Sequence, residues 1–252
     1  MTELLNADAI AGALASGYWR VSVIDEIDST QNYLRISNPK PGDLITAEYQ
    51  SAGRGRLDRK FVATKSSALL FSFYIEPTIA IKNLGYLSLL VGASITNTLN
   101  EITESESFKC KWPNDIVFGD RKIAGLLAEK FGSGVIVGVG INVSTSKEQL
   151  PVPHASSIFL ATGTALNRNL LLVQILNSLE LTLKDWESDK DLTPVYRKLS
   201  ATLGREVRVE LPGGVNIEAI ALDIDSTGAL HLDNGQAITV GDVIHLDSKL
   251  SK

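Results

Sequence analysis

Residues 115–118, 122–131 and 135–143 are three strand-like runs separated only by the turn signals Gly119-Asp120 and Gly132-Ser133-Gly134. Parallel neighbours need a crossover of a dozen or more residues, so strands this close pair as antiparallel hairpins. That spacing rules out a sheet of alternating βαβ units and predicts an α/β chain of the α+β kind, with a mixed, mainly antiparallel sheet. Further strands are expected over 21–27, 43–49, 67–75 and 108–112. A short helix over 6–16, capped by Asn6 or Asp8, stops at Gly17, and Asp28-Ser29-Thr30 stands where a cap would lead into 31–36. Leu84, Leu87, Val91, Ile95, Leu99 and Ile102 recur at helical spacing and predict a long core helix. Leu172, Ile175, Leu179, Leu183 and Trp186 predict a second helix starting near Asn167, and a shorter one follows over 192–200.

The pattern changes after Leu203-Gly204, where about five short alternating runs are divided by Pro212-Gly213-Gly214, Ser226-Thr227-Gly228 and Asp233-Asn234-Gly235. Runs that short make a small barrel, so residues 1–201 and 202–252 are expected to be separate domains. A net charge of -5 disfavours nucleic-acid affinity driven by bulk electrostatics. No apolar run is long enough to span a bilayer. The start of the chain carries acids early and lacks the basic region of a signal peptide. The lone Cys110 cannot form an internal disulfide, which fits a cytoplasmic location, and it reads as a small buried hydrophobe. His154, His231 and His245 have no metal-ligand spacing.

Between two of the expected strands lies Gln50-Ser51-Ala52-Gly53-Arg54-Gly55-Arg56-Leu57-Asp58-Arg59-Lys60-Phe61, with four cations and two glycines in an otherwise acidic chain. Glycines let the backbone approach a ligand closely, and guanidinium forks surround phosphate or carboxylate oxygens. A solvated hairpin loop has the same composition. The loop lacks the Gly-Lys-Ser/Thr ending of a Walker A motif, and Gly138-Val139-Gly140 lacks the third glycine of a dinucleotide fingerprint. Lys111-Trp112-Pro113-Asn114-Asp115 places a cation, an amide and a carboxylate at an expected strand break, where Asn and Asp also serve ordinary turns. Lys122 opens an apolar strand, either as a snorkelling edge residue or as a ligand-facing charge. Asn142 follows a glycine-bearing strand that it either terminates or equips to read a ligand.

Taken in order, Asp28-Ser29-Thr30, the loop from Glu48 to Arg59, Lys111 to Asp115, Arg121-Lys122-Ile123-Ala124-Gly125 and 138–143 resemble the biotin protein ligases over about residues 20–145. The resemblance implies a catalytic domain of the class II synthetase-like biotin ligase fold followed by an SH3-like barrel. It implies that biotin carboxylate attacks the α-phosphate of ATP to give biotinyl-5′-AMP. A lysine of a biotin carboxyl carrier domain then takes the biotin. Two anions must meet in the first step, so fixed cations and Mg²⁺ are expected to cancel their repulsion. By motif position, Ser29, Thr30, Gln31, Gln50, Gly53, Arg54, Gly55, Arg56 and Lys122 resemble the biotin contacts. Arg59, Phe61, Lys111, Asn114 and Asn142 fall on the adenylate side. Lys122, Arg54, Arg56 and Asp115 are the implied catalytic residues; Asp115 orients or deprotonates the incoming amine or helps to hold Mg²⁺, which ATP otherwise carries.

Three positions depart from the family pattern. Gln31 stands where asparagine is frequent, Asp58 where glycine is frequent, and Phe61 where the aromatic is often tryptophan. Some twenty residues precede the first strand, too few for a helix-turn-helix, so no DNA partner is expected. No membrane partner is expected either, and the chain is expected to be a monomer or weak homodimer. The competing readings are a lipoate or octanoate ligase of the same fold and, in a different class, a non-catalytic biotin-sensing regulator.

Overall fold

A computed structural model describes residues 3–57, 59–79 and 85–247. The chain forms two compact units, Met1–Pro77 with Lys122–Leu181 and Thr78–Arg121 with Thr182–Lys252.

In the first unit, α1 (Ala7–Ala13) is capped by Asn6, whose side chain accepts the Ala9 amide. A βαβ unit follows: β1 (Arg20–Ile27), α2 (Thr30–Ile36) and β2 (Asp43–Gln50), with β1 and β2 parallel. β3 (Ala68–Ile75), β6 (Arg121–Phe131) and β7 (Gly134–Asn142) extend the sheet in the order β1-β2-β3-β7-β6. Every one of these added pairings is antiparallel, and for β6 and β7 the hairpin spacing requires it. All eight residues of β3 are buried, so both of its faces are covered.

Strand alternation sorts the two faces. On one, Leu34 of α2 packs with Ile45, Tyr74 and Ile136. The other carries Phe73, which Trp19 meets edge-on at 5.3 Å while donating its indole N–H to the Leu176 carbonyl at 3.0 Å. Leu176 belongs to α5 (Arg168–Glu187), whose Leu172, Ile175, Leu176 and Leu179 are buried. A five-residue helix, α4 (Ile158–Thr162), precedes it, capped by Ser157 and ended by Gly163 at φ 75. Sequence periodicity did not reveal α4, because one and a half turns hold too few residues to display a stripe.

The second unit contains α3 (Leu87–Ile102), which packs on the hairpin of β4 (Phe108–Lys111) and β5 (Asp115–Phe118) and on α6 (Thr193–Leu199). The expected start of α3 at Leu84 lies outside the described residues. Asn100 of α3 exchanges two hydrogen bonds with the Phe108 backbone, both at 3.1 Å. Cys110 is buried beside Thr96, and burial pushes its thiol up to about 12, which makes it an inert core residue.

After 202 come β8 (Glu206–Glu210), β9 (Asn216–Ile224), β10 (Leu230–Leu232), β11 (Ala237–Ile238) and β12 (Asp242–His245). They form a 5-stranded antiparallel sheet in the order β11-β10-β9-β8-β12, the small all-β element expected of the short alternating runs and consistent with the SH3-like domain that the resemblance implies.

One turn of this element carries a strong local charge. Asp225 accepts from the Thr227 amide and hydroxyl, the Ala229 amide and His231 Nε2 at 2.6–3.1 Å. Burial pushes its pKa up, but the Thr227 hydroxyl, His231 and the two amides outweigh this and bring it to about 2. A depressed carboxylate stabilises the fold above its unfolded pKa and loses that contribution as pH falls through its folded one. The Asp225→Asn variant is therefore expected to melt below the parent at pH 5–7, with the gap closing as pH falls from about 4 to about 2. A gap that stays constant down to pH 2 in thermal melts would contradict this assignment.

Candidate active site

The first constellation lies where α2 begins. Ser29 is its N-cap by backbone geometry, yet the Ser29 side chain makes no capping bond. The capping oxygen comes from β2 instead: Gln50 Oε1 accepts the Thr30 amide at 2.7 Å and the Thr30 hydroxyl at 2.9 Å. The Thr30 hydroxyl also lies 2.7 Å from Ser72 Oγ of β3. Ser29, Thr30 and Gln31 are almost fully buried, and Gln31 Nε2 donates to the Leu127 carbonyl of β6 at 2.9 Å. Gln50, Thr30 and Ser72 thus form one connected polar network on the α2 side of the sheet, and Gln31 is tied separately to β6.

Glycines floor this face. A Cβ on Gly138 would come within 3.0 Å of Gln31 Cδ, and one on Gly140 within 2.6 Å of the Phe61 ring. Both side chains lie on bare strand backbone, which any larger residue would displace. Gly125 and Leu127 are the β6 partners of Gly140 and Gly138, and they complete the floor. Leu126 and Val137 alternate to the opposite face, so the α2-side floor is not made by them. Phe61 packs at the edge of an apolar patch of Ala63, Ala68 and Leu70.

The basic loop folds as a miniature hairpin. Arg54 bridges Lys60, Gly55 N–H donates to the Arg59 carbonyl at 2.7 Å, and Phe61 N–H donates to the Gly53 carbonyl at 2.9 Å. A Cβ on Gly53 would sit 2.4 Å from the Phe61 carbonyl oxygen, so glycine is required there. Arg54 Nη1 and Nη2 both reach Glu129 of β6, at 2.8 and 3.1 Å. Arg56 and Arg59 lie on the two arms of the same hairpin, and Asp58 is outside the described residues.

Lys122 and Asn142 meet through one segment. The Lys122 amide donates to the His154 carbonyl and its carbonyl accepts the Ser156 amide, both at 2.8 Å. Asn142 Nδ2 donates to the Ser156 carbonyl at 3.0 Å. The half-buried Lys122 therefore stands on a backbone held from both sides.

In the second unit, Lys111 and Asp115 face each other as the closing pair of the β4–β5 hairpin, with Trp112-Pro113-Asn114 as its three-residue turn. The Trp112–Pro113 bond is cis. Trp112 is buried, its indole donating to the Gly228 carbonyl at 3.0 Å and its amide to Thr202 Oγ1 at 3.1 Å. His245 Nε2 lies 3.2 Å from the same hydroxyl; burial, then Lys111 and Arg205, holds its pKa down at about 3, so the ring is neutral. The hairpin bearing Lys111, Asn114 and Asp115 is thus anchored by the residues around 202 and 228.

Ser72, Leu127, Glu129 and Ser156 are members of these constellations that sequence reasoning missed. Glu129 alone left a trace, as an acid inside an apolar strand.

Comparison with known proteins follows the same outline. The Biotin/lipoate A/B protein ligase family profile matches residues 23–146, and that of the Biotin protein ligase C terminal domain matches 202–246. The biotin–[acetyl-CoA-carboxylase] ligase of Mycobacterium tuberculosis is 34% identical over 95% of this chain and 93% of its own. The bifunctional ligase/repressor BirA of Escherichia coli is 35% identical over 92% of this chain and 74% of its own. The Aquifex aeolicus biotin protein ligase, solved in complex with biotin and ATP, superposes with a TM-score of 0.79 at 31% identity, covering 89% of this chain and 97% of that one. The fold and its profiles define a ligase of the biotin and lipoate class. Within that class, the chain belongs to the biotin protein ligase family.

Proposed function

We propose that this ligase joins biotin to the AMP part of ATP, releasing pyrophosphate, and then transfers biotin from biotinyl-5′-AMP to one lysine of a biotin carboxyl carrier domain, releasing AMP. The observation that carries the reading is the glycine-floored face under α2, with Gln31 on Gly138 and Phe61 on Gly140. A polar network of Thr30, Gln50 and Ser72 at one end suits a neutral ureido ring, which offers both donors and acceptors. Beside it only Gln31 and the Phe61 ring cover the Gly138 and Gly140 backbone, and a Phe61 ring that turns toward the adenylate would leave that backbone to the thin, apolar body of biotin.

Lys122 is assigned to the biotin carboxylate and the acyl phosphate, and Arg56 and Arg59 to the phosphate oxygens. A fixed cation is most effective where charge develops, because its orientation is settled before the reaction. Phe61 offers a ring face to the adenylate, and Asn142 lies beside Lys122 through Ser156. Lys111 and Asn114 are assigned to the nucleotide, and Asp115 to the incoming lysine amine. Mg²⁺ is proposed to arrive with ATP. Among the described residues no group of three or more His, Cys, Asp or Glu could hold a metal ion. A single hard carboxylate at Asp115 fits a cation that otherwise takes phosphate and water oxygens. When bound, Mg²⁺ would neutralise phosphate charge. No described helix is long and apolar enough to cross a membrane.

Pyrophosphate–ATP exchange tests the first step: it is expected to respond to biotin and not to lipoate. A biotin-sized mass gain on a carrier domain tests the second. Exchange driven by lipoate would replace this reading with that of a lipoate ligase, and biotin binding without exchange would favour a sensor.

A further inference from the structure

Glu129 is an acid on an otherwise mostly apolar strand, and it touches two separate elements. Its Oε2 accepts Arg35 Nη2 of α2 and Arg54 Nη1 of the basic loop, both at 2.8 Å, and its Oε1 accepts Arg54 Nη2 at 3.1 Å. The Arg35 guanidinium also stacks over Phe131, 5.8 Å from the ring centre. Gln31 and Arg35 are four residues apart on α2, hence on one face of it, and both bond to β6, at Leu127 and Glu129. Loop, helix and strand therefore converge on one carboxylate. The side chains of Arg35, Glu129 and Arg54 are 29%, 26% and 37% exposed, too covered for bulk water to screen the triad fully. Burial pushes the Glu129 pKa up, and the two arginines outweigh it and hold the group below the usual carboxylate range.

We infer that Glu129 is a positioning residue: it fixes the Gly53–Phe61 hairpin against α2 through Arg54, so that Arg54 anchors the loop and its neighbours Arg56 and Arg59 face the substrate anions. The bidentate fork is the reason. Both terminal nitrogens of Arg54 point at one carboxylate, which fixes the direction of the guanidinium as well as its distance. The adjacent Gly53 and Gly55 leave the loop little torsional stiffness of its own, so its placement must come from such a tie. This inference rests on the proposed biotin-adenylating activity for its kinetic consequence, but the tie itself can be tested without any ligand.

Two readouts on the whole protein separate the cases. Trypsin cleavage after Arg56 and Arg59 is expected to accelerate at least fivefold in Glu129→Gln, which keeps the shape and removes the charge. Glu129→Asp, which keeps the charge, should stay within about twofold of the parent. Release of preformed biotinyl-adenylate should quicken about tenfold in Glu129→Gln and to the same degree in Arg54→Gln. The double variant should be no worse than either single, because both remove one interaction. Parental trypsin and release rates in Glu129→Gln, or single effects that multiply in the double variant, would overturn the inference. A parent enzyme without biotin-dependent exchange would instead defeat the functional reading, and the trypsin comparison would still decide the tie.

Discussion

Lys122→Ala is expected to lower the rate of biotinyl-adenylate formation by about two to three orders of magnitude, equivalent to roughly 3–4 kcal/mol of transition-state stabilisation. The electrostatic problem sets the size of the effect. A carboxylate must approach a phosphate chain that already carries several negative charges, and charge builds on the oxygen that departs with pyrophosphate as its bond to the α-phosphorus breaks. A cation held in a half-buried position acts there with less screening than it would in water. The backbone of Lys122 is bonded to His154 and Ser156 through its own N–H and C=O groups, which alanine retains. The variant should therefore fold normally, with a melting temperature close to the parent. Lys122→Arg should recover part of the rate, since charge is restored while the guanidinium reaches a different point. Single-turnover synthesis of biotinyl-AMP measures this directly. Undiminished synthesis in Lys122→Ala would remove the residue from its assigned role.

Features that depend on local periodicity and turn chemistry were legible in the sequence. The hairpin spacing from 115 to 143 fixed the antiparallel half of the sheet, and the change of pattern after Leu203-Gly204 announced the small C-terminal strands. Features that depend on which residues meet across the fold were not. Ser29 carries the signature of a helix cap, but Gln50, twenty residues after Thr30, supplies the capping oxygen, and only a parallel β1–β2 pair brings it there. Leu126 and Val137 are apolar strand residues that sequence alone could place either under a ligand or in plain core. Strand register turns them away and presents Gly125, Leu127, Gly138 and Gly140 instead. Trp112 belongs to a motif that suggests ligand contact, yet its indole donates to Gly228, more than a hundred residues away, and it holds its hairpin in place. The family resemblance carried the location of the site.

The largest effect on stability is expected at Arg168, the first residue of α5. Its side chain is fully buried, and Nη2 lies 2.8 Å from Glu48 Oε2, itself 3% exposed. Arg168 also donates to the Ala68 and Glu3 carbonyls, while Glu48 accepts the Leu5 amide at 2.6 Å and the Ser66 hydroxyl at 2.7 Å. The pair thus ties the start of α5 to the N-terminal segment, to β2 and to the chain that leaves the basic loop. Arg168→Ala would strand a buried carboxylate, a change that costs about 3–5 kcal/mol in comparable settings. In a unit of this size that corresponds to a fall in melting temperature of roughly 10 °C. Replacing both partners, Arg168→Met with Glu48→Gln, should recover part of the loss, because no unpaired charge remains buried. Urea titrations are expected to show a lower midpoint for Arg168→Ala at an unchanged slope. A loss below about 1 kcal/mol would mean that water reaches Glu48 in the variant and that the pair is not the anchor its burial indicates. Because Glu48 lies two residues before Gln50 on β2, that loss should also weaken the polar network at the start of α2 and lower the affinity for biotin before the protein unfolds globally.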